Sequence, residues 1–409
     1  MARTSDVVIV GGGVMGCSIA LHLREAGVAR VTVIERDSTY ARASSFLAMG
    51  GIRQQFGSAV NVKLVQLSLP FWRAFDERFS KPGQEVRANF RPRGYLFLAN
   101  QDQAEGFERR LKLMQGCGAV VEKLDRGELA RRLPDAYLDD IVFGVLGRDD
   151  GYASPREVLK GMRAGAEAAG VEFVAGEVRG IDREGVSRVR TEATGARESA
   201  GRVSGVLLAS GERIGTRAVV NAAGAWAAAV ARLVGIELPI QPQRQHLFRC
   251  ALPEFWPYRF PMVIDPTGVH WRHDDPDHVS DLDRIVVART YTDEPFGENF
   301  ECDAARWERD FLPPLARRLP ALKSVRVLEG WSGLYEVTPD HNPVLGAYPG
   351  LEGFFVAAGF SGHGLMMSPA IGRVLSEIIR TGRATSAEVA PLAADRFARG
   401  AVFQDGAMI

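Results

Sequence analysis

Short apolar runs alternate with glycine-rich turns over the first forty residues of this chain. Val7–Val10 form an apolar run that predicts a buried parallel strand. Three glycines with the spacing G-x-G-x-x-G follow it, at the point where a helical pattern begins. Val31–Ile34 predict a second strand, and Glu35 stands at its end. The pattern therefore predicts a strand–helix–strand unit with an acidic residue closing the second strand.

Each residue of this motif has a physical task in binding a dinucleotide. Gly11 permits the tight turn, Gly13 lets backbone approach a pyrophosphate, and Gly16 lets the helix pack closely on the strand. The start of the helix offers amides and a positive dipole end to phosphate. Glu35 is placed to accept hydrogen bonds from ribose hydroxyls, and its acidity disfavours a 2′-phosphate. The motif predicts a site for FAD or NAD.

Two later stretches repeat the strand, small-residue turn and helix pattern. They are Ala218–Gly235 and Gly353–Ile379. Between them, residues 245–250, 268–272 and 284–291 alternate in the manner of antiparallel strands. We therefore expect an α/β dinucleotide-binding domain with a substrate domain of antiparallel character inserted into it.

The expected domain boundaries follow from the positions of these patterns. Apolar periodicity predicts helices over 61–79 and over the highly charged residues 102–133. The dinucleotide-binding domain is expected to take three segments, 1–85, 150–233 and 328–409. The substrate domain is expected to take the other two, 86–149 and 234–327.

Composition narrows the class of partner. The 409 residues include 50 basic and 50 acidic side chains and no basic run, which disfavours nucleic acid. The four cysteines contain no C-x-x-C pair, which argues against a disulfide framework or metal site and favours a reducing compartment. No apolar run approaches the roughly twenty residues needed to span a bilayer. Met1–Ser5 lead straight into the first predicted strand, so we expect no signal peptide. We expect a cytoplasmic monomer or homo-oligomer that acts on a small molecule.

The turn at Gly359–Gly364 distinguishes between the two dinucleotides. An NAD dehydrogenase usually completes its cofactor site within the first half of the chain, whereas this turn lies near the other end. FAD explains why the two turns lie far apart in the sequence. The first turn would bind its adenine half, and the turn at Gly359–Gly364 would lie against its isoalloxazine ring. The amides of Gly362, His363 and Gly364, with the dipole of the following helix, are suited to stabilise negative charge on a reduced flavin. FAD is therefore the expected cofactor.

Four motifs together carry a family resemblance that extends nearly end to end. They are Val8–Gly16 with Glu35 and Arg36, Ala43–Gln55, Val220–Trp226, and Gly333–Gly346 followed by Ala358–Gly364. The chain resembles the D-amino acid oxidase-like FAD-dependent oxidoreductases, in the branch of glycine oxidase, sarcosine oxidase and the proline dehydrogenase β-subunit. The segment Ser44–Phe56 is also similar to FAD-dependent oxidoreductase domain-containing proteins linked to respiratory complex I assembly. The resemblance implies a Rossmann-like FAD domain of the glutathione-reductase type with an inserted antiparallel-sheet (α+β) domain.

The resemblance also implies which residues bind FAD. They are Gly11, Gly13, Val14, Met15, Gly16, Glu35, Arg36, Ser44, Ser45, Met49, Gly50, Val178, Ala223, Gly224, Trp226, Gly333, Gly362, His363, Gly364, Leu365 and Met366. Relatives attach the flavin covalently through a cysteine at the place of Gly333 or a histidine within the segment matching Leu47–Gly50. Neither residue type occurs there, so we expect non-covalent FAD.

Four residues are expected around the substrate. Arg53 matches the position where sarcosine oxidase-like proteins bind the substrate carboxylate, and its planar guanidinium suits that task. Tyr335 aligns with a family residue that faces the substrate, and His270 with aromatic residues of the cage around the amine. Oxidases of this branch often use a lysine near the flavin on a strand matching residues 285–291. No lysine occurs there, and Arg289, on the same alternating face as Ile285 and Val287, is the nearest cation. Two roles stay open for Arg289, which are promotion of electron transfer to O2 by its charge and ordinary ion pairing.

The resemblance implies oxidation of a C–N bond in an N-substituted glycine, a glycine-like or a cyclic amino acid, with O2 or another electron acceptor. Met366 replaces a lysine that shares the carboxylate in sarcosine oxidase, which predicts a longer or more apolar substrate. Two alternatives stay open. One is an FAD-dependent 2-hydroxy acid or glycerol-phosphate dehydrogenase on the same fold. The other is a non-catalytic flavoprotein that serves as an assembly factor.

Overall fold

The computed structural model describes residues 3–81, 83, 85–185, 187–189, 197–199, 201–252, 258–274, 283–291 and 293–403. The chain forms two compact units, each assembled from separate segments. Unit 1 contains Met1–Phe46, Leu159–Pro242 and Tyr335–Gln404. Unit 2 is built from Leu47–Val158 and Gln243–Leu334.

The regular elements of both units follow in chain order. The helices are α1 (Val14–Glu25), α2 (Ser44–Leu47), α3 (Ala59–Arg73), α4 (Phe75–Phe79), α5 (Gln101–Gly116), α6 (Arg126–Arg132), α7 (Pro155–Ala168), α8 (Ala227–Arg232), α9 (Leu312–Arg318) and α10 (Gly364–Thr381). The strands are β1 (Arg3–Thr4), β2 (Val7–Val10), β3 (Val31–Glu35), β4 (Gly51–Ile52), β5 (Tyr95–Ala99), β6 (Val121–Leu124), β7 (Phe143–Gly147), β8 (Gly151–Tyr152), β9 (Glu172–Ala175), β10 (Val178–Glu184), β11 (Ser187–Val189), β12 (Arg197–Ser199), β13 (Arg202–Leu208), β14 (Arg213–Gly215), β15 (Val219–Asn221), β16 (Gln241–Ala251), β17 (Met262–Ile264), β18 (Val269–His273), β19 (Arg284–Arg289), β20 (Arg326–Val337), β21 (Val344–Ala347) and β22 (Phe354–Ala358).

A six-stranded sheet with the order β21-β22-β15-β2-β3-β9 forms the centre of unit 1. All its neighbouring strands are parallel except β21 and β22. The three strands that were expected to precede small-residue turns, β2, β15 and β22, are therefore neighbours. Since parallel strands share a direction, their turns emerge side by side at one edge of the sheet. This arrangement confirms the three predicted strand–turn–helix units.

Helices α1 and α10 pack closely against each other in unit 1. The hydroxyl of Ser18 donates to the carbonyl oxygen of Ser368 at 2.7 Å. A Cβ at Gly372 would lie only 2.4 Å from the Ser18 hydroxyl, so the α10 backbone comes within contact of α1. The first and the last glycine turn are thus held by two helices in direct contact.

The main feature of unit 2 is an eight-stranded sheet with the order β20-β16-β19-β18-β17-β5-β7-β6. Side chains alternate between its two faces, and one face carries a large apolar core that includes Phe248, Trp271 and Val287 with Phe311 from the adjoining helical segment. The opposite face carries a second set that includes Tyr95 and Phe97. The antiparallel strands expected around residues 245–250, 268–272 and 284–291 are confirmed as β16, β18 and β19.

The prediction that residues 102–133 are helical is confirmed for α5 and α6 and is wrong for residues 117–125 between them. Helix α5 ends at Gly116, and Gly118 then adopts a φ of 81° that a helix does not accommodate. Strand β6 follows and pairs with β7. Helix α6 then starts anew with a capping box, in which Asp125 accepts from the Glu128 amide at 2.8 Å and Glu128 accepts from the Asp125 amide at 2.9 Å.

The observed units also differ from the expected domain boundaries. The described residues of 47–85, 150–158 and 328–334 lie in unit 2, and residues 234–242 lie in unit 1. Helix α3 belongs to unit 2 because it packs against α5, and the Gln66 amide group donates to the carbonyl oxygen of Cys117 at 3.2 Å. The predicted helix over 61–79 is present but is divided at Ala74 into α3 and α4.

The described ranges contain neither a candidate membrane span nor a candidate metal cluster. Within them no helix combines the length and apolar character that a bilayer span requires. In the same ranges no group of three or more His, Cys, Asp or Glu side chains is placed to hold a metal ion.

A fully buried ion pair fixes the chain after β20. Arg396 contacts both carboxylate oxygens of Asp340, at 2.8 and 2.9 Å, and the two side chains are 1% and 0% exposed. The same guanidinium donates to the carbonyl oxygens of Asn342 and Pro343 at 2.7 and 2.8 Å. The pair therefore ties residues 340–343 to the C-terminal part of unit 1.

Replacing Arg396 with alanine would leave the Asp340 carboxylate buried without its cation. We expect Arg396→Ala to lower the free energy of unfolding by about 3–5 kcal/mol, measured by urea denaturation. Arg399→Ala is the matched control, because Arg399 is 54% exposed and pairs with Asp395 on the surface. That control should lose less than about 1 kcal/mol. Equal losses in the two variants would contradict the assignment.

Candidate flavin and substrate sites

The first glycine turn has no room for side chains at two positions and only an ordinary van der Waals contact at a third. Gly11 has a φ of 103°, and a Cβ there would lie 2.4 Å from the carbonyl oxygen of Ala222. A Cβ at Gly16 would lie 1.9 Å from the carbonyl oxygen of Gly11. At Gly13 the nearest atom is the Ser45 hydroxyl at 3.5 Å. The backbone at Gly13 is thus approachable, as contact with a pyrophosphate requires.

The beginning of α1 is suited to an anion. Its first turn contains no acidic side chain, so no carboxylate of the helix itself offsets the dipole and the amides at Val14 and Met15. The Val14 amide donates to the Ser45 hydroxyl at 3.3 Å. Ser44 and Ser45 both lie in α2, and Ser45 is thereby placed at the start of α1.

The ribose-binding acid predicted at Glu35 is held in place by backbone amides. One carboxylate oxygen accepts from the Gly12 amide at 2.7 Å, and the other accepts from the Asp37 amide at 2.9 Å. Each oxygen retains a second lone pair that suits a ribose hydroxyl. The neighbouring Arg36 lies over the ring of Trp226, 3.8 Å from its centroid, which brings two further predicted cofactor residues together.

The second turn follows β15 and lies against the first. The Ala223 amide donates to the Asn221 side chain at 3.3 Å, and Gly224 adopts a φ of 55°. Val178, at the start of β10, packs in the same apolar core as Val10. All three predicted residues therefore belong to the framework around the dinucleotide turns.

The third turn brings Tyr335 to the predicted flavin residues. Gly362 has a φ of 94°, and a Cβ there would lie 2.6 Å from the Tyr335 ring. The tyrosine ring thus lies directly against the Gly362 backbone. Helix α10 begins at Gly364 with no acidic side chain in its first turn, and its N-cap residue His363 is buried. Leu365 and Met366 are also buried in that turn, 7% and 4% exposed.

Arg53 lies in a buried aromatic cage in unit 2. It follows β4, is 1% exposed, and places its guanidinium 4.3 Å from the Phe56 ring and 5.5 Å from the Phe97 ring. It also donates to the carbonyl oxygen of Gln55. A cation enclosed by aromatic rings in this way has weak competition from water for an anionic partner.

His270 occupies the same side of the sheet as this cage. Its side chain is buried, and Nδ1 donates to the carbonyl oxygen of Gly268 at 3.0 Å. Burial, assisted by the nearby charge of Arg53 and opposed by that hydrogen bond, lowers the pKa of His270 to about 4. The imidazole is therefore neutral at pH 7, and its Nε2 is an acceptor.

Sequence reasoning missed a buried acid that holds the Arg53 segment. One oxygen of Asp150 accepts from the backbone and side-chain amides of Gln54 at 3.0 and 3.1 Å. The other accepts from the Gln55 side chain at 3.2 Å. A Cβ at Gly147 would lie 2.0 Å from that oxygen, so only glycine fits there. A single aspartate in a turn has no distinguishing local sequence pattern. Its hydrogen-bond partners, Gln54 and Gln55, lie 96 and 95 residues away in the chain.

Arg272 was also missed, although strand alternation places it on the same face as His270. Its Nε donates to the carbonyl oxygen of Met49 at 2.7 Å, and its Nη1 donates to that of His273 at 2.7 Å. Gly50, which follows Met49 in the chain, has a φ of 86°, and a Cβ there would lie 2.2 Å from the carbonyl oxygen of Ala153. Arg272 thus supports the backbone of the Met49–Gly50 segment.

Gly333 and Arg289 are the remaining predicted residues of unit 2. A Cβ added at Gly333 would lie 3.0 Å from the Cβ of Leu47, so this glycine packs closely against Leu47. Arg289 lies on the helix-covered face of the sheet with Val287, donates to the carbonyl oxygen of Asp310 at 3.1 Å, and stacks over Tyr291. The opposite face, with Ala288, is the one that packs against Met49. This placement argues against the role in oxygen activation that the sequence suggested for Arg289.

The family of the chain can now be stated. The family model described as FAD dependent oxidoreductase (DAO) matches residues 6–378, so the chain belongs to this family. It is an FAD-dependent oxidoreductase, and the glycine turns and acid-free helix starts of unit 1 fit the FAD that the family binds. The match confirms the resemblance, the fold class and the cofactor inferred from the sequence.

Individual relatives agree with this assignment. The chain is 33% identical over 427 residues to bovine (Bos taurus) FAD-dependent oxidoreductase domain-containing protein 1, covering 98% of this chain and 86% of that protein. It is 25% identical over 400 residues to glycine oxidase of Geobacillus kaustophilus, covering 97% and 98% of the two chains. The crystal structure of L-proline dehydrogenase from P. horikoshii superimposes with a TM-score of 0.86 at 28% identity, covering 98% and 100%.

The pKa of Asp150 makes its contribution to stability testable. Desolvation raises this pKa from 3.8 to about 6, against the effect of the glutamine hydrogen bonds and Arg53. The raised pKa favours the folded state at pH values below about 4, and this contribution is lost as the pH rises through 6. We expect the stability of Asp150→Asn, relative to the parent, to increase by about 2–3 kcal/mol from pH 4 to pH 7 in urea denaturation.

The neighbouring residue provides the control for this titration. Asp149 is partly exposed and pairs with Arg73 at 3.0 Å. Asp149→Asn should show no such rise between the two pH values. A pH-independent difference between Asp150→Asn and the parent would show that Asp150 does not titrate in this range.

Proposed function

We propose that this flavoprotein oxidises the C–N bond of an N-substituted glycine, a glycine-like or a cyclic amino acid. The observation that carries the proposal is Arg53, a buried cation walled by aromatic rings on the same side of the sheet as the neutral His270. Such a site suits a small carboxylate whose amine is uncharged or shielded. The names of related proteins, glycine oxidase and L-proline dehydrogenase, point to the same class of substrate.

Each residue has a separate part in the proposed reaction. Arg53 binds the substrate carboxylate through its planar donor pair. Neutral His270 offers Nε2 as an acceptor to a substrate N–H or to a water molecule. For Tyr335, seated on the Gly362 backbone, and for buried Met366, the roles that the family resemblance implies stay predictions, namely contact with the substrate and replacement of a second cation.

The electron balance of the reaction is simple. FAD held at the glycine turns of unit 1 would supply the oxidising capacity, which is the acceptance of a hydride from the α-carbon. The amine loses its proton, the C–N bond becomes an imine, and water hydrolyses this imine to a carbonyl compound and an amine or ammonia. Reduction of O2 to H2O2 is the proposed route of reoxidation.

Anaerobic reduction across a metabolite panel tests the substrate class. We expect sarcosine, glycine, proline or an N-carboxymethyl amine to bleach the flavin absorbance near 450 nm, a property of flavins in general. Admission of air should then restore the colour with release of peroxide. Bleaching only by 2-hydroxy acids or glycerol phosphate would favour the dehydrogenase alternative. An oxidised flavin throughout the panel would favour a non-catalytic role.

Arg53→Ala tests the carboxylate site directly. Loss of a bidentate, desolvated carboxylate contact should raise KM about a hundredfold or more, which corresponds to roughly 3 kcal/mol. Arg148→Ala is the matched control, because Arg148 is 62% exposed and pairs with Glu122 on the surface of the same unit. Steady-state kinetics with the substrate found by the panel provide the measurement. An unchanged KM would remove Arg53 from the substrate site.

We also propose that FAD is held without a covalent bond and that the protein works in a reducing compartment such as the cytoplasm. Leu47–Gly50 and Gly333 contain no nucleophilic side chain. All four cysteines are free thiols. Acid precipitation should therefore release the flavin into the supernatant, whereas yellow colour in the pellet would contradict this part of the proposal.

A further inference from the structure

Glu336 is a carboxyl group of unit 1 with no part in the substrate reaction described above. It lies near the end of β20, next to Tyr335. One carboxylate oxygen accepts from the Gly359 amide at 3.0 Å, and the Phe360 amide also donates to the carboxyl group. The Glu336 backbone adds a third contact, since its carbonyl oxygen accepts from the Ser361 amide at 3.2 Å. Three consecutive residues of the third glycine turn are therefore tied to this single residue.

The same carboxyl group also faces the second glycine turn. A Cβ at Gly224 would lie 3.9 Å from the carboxylate oxygen that holds Gly359. The two turns follow the neighbouring strands β15 and β22, so Glu336 lies where they meet. Among the described residues, the only groups that act on its ionisation are the two amides; no charged side chain contributes.

The environment of this group allows it to change charge near neutral pH. The side chain as a whole is only partly shielded from solvent, but the protein around the carboxyl raises its pKa to about 7, and the amides of Gly359 and Phe360 oppose this rise. Above that pH a negative charge stands beside the turn that leads into the positive end of α10. Below it the carboxyl is neutral.

We propose that Glu336 is a positioning residue for the flavin, which anchors the Gly359–Gly364 turn and sets the electrostatic environment in which FAD accepts electrons. The inference rests on FAD binding and not on the proposed substrate. A deprotonated Glu336 opposes negative charge on a reduced flavin, whereas the neutral form does not. The flavin of the parent should therefore be harder to reduce at high pH than that of a variant with no charge at this position.

Glu336→Gln tests the proposal because glutamine retains an oxygen acceptor for the Gly359 amide and removes the charge. At pH 8.5 we expect the ratio of reduced to oxidised flavin at a fixed potential to be about tenfold higher in the variant, which is about 30 mV for a two-electron couple. At pH 6 the two proteins should agree. Reduction by a dye-coupled reductant in the spectrophotometer, with FAD bound and no substrate, provides the measurement.

Glu352→Gln provides the matched control, since Glu352 is an exposed carboxylate of the same unit, two residues before β22. It should leave the potential unchanged at both pH values. A Glu336→Gln potential equal to that of the parent at pH 8.5 would overturn the proposal. So would a difference of equal size at pH 6 and pH 8.5, because a structural effect without titration would explain it.

A second variant covers the case in which Glu336→Gln does not fold. Glu336→Asp retains the charge but shortens the reach to the turn, so we expect FAD to dissociate about tenfold more readily while the pH dependence of the potential persists. Retention of parental FAD affinity in Glu336→Asp, measured by fluorescence of released flavin, would overturn the anchoring role. Because no substrate is present, a failure here is distinct from a failure of the amine-oxidation proposal.

Discussion

The contact between the Gly11 backbone and the carbonyl oxygen of Ala222 is the constraint on which the cofactor site depends. A side chain at Gly11 would place its Cβ 2.4 Å from that oxygen, so neither turn could keep its course. The close approach follows from the pairing of β2 with β15. Because β22 pairs with β15 on its other side, three turns meet at one edge of the sheet. Glycine is required there by the proximity of three backbones, before any ligand is considered.

Unit 2 contains buried arginines, Arg53 and Arg272 among them, and their positive charges must be compensated by neighbouring groups. Arg53 lies among aromatic rings, and Asp150 lies near enough to lower the electrostatic cost of its burial. Arg272 donates hydrogen bonds to the carbonyl oxygens of Met49 and His273. Arg53 thus lies among aromatic rings and donates to the carbonyl oxygen of Gln55, while Arg272 supports the Met49–Gly50 segment that precedes it. The difference between the two lies in their partners, since both are equally charged.

The sequence revealed those features of the fold that rest on local signals. Val7–Val10 and the alternating strand β18 were predictable because each pattern lies within a few residues. The break after Gly116 was not recognised, because the charged residues on either side both suit helices. Asp150 and Glu336 escaped detection for another reason. Their importance arises from amides 96 and 23 residues away, which no local pattern reports.

Arg289 shows the limit of alternation as a guide. The pattern correctly places it with Val287 on one face of β19, but the pattern is silent about which face a helix covers. The segment with Phe311 covers that face, and the half-buried Arg289 donates there to the carbonyl oxygen of Asp310. His270 and Arg272 lie on the other face by the same alternation. Alternation thus separates the two faces of a strand, whereas tertiary packing determines which of the two faces a helix covers.

The way in which unit 1 is threaded has a consequence for its biogenesis. Its three glycine turns come from three distant segments, and the Ser18–Ser368 contact joins residues 350 positions apart. Contacts of such long sequence separation form slowly, because a large loop must close before they stabilise anything. The chain must therefore be synthesised through residue 368 before the Ser18–Ser368 contact can form. The first and the third glycine turn can be held together by α1 and α10 only after that point.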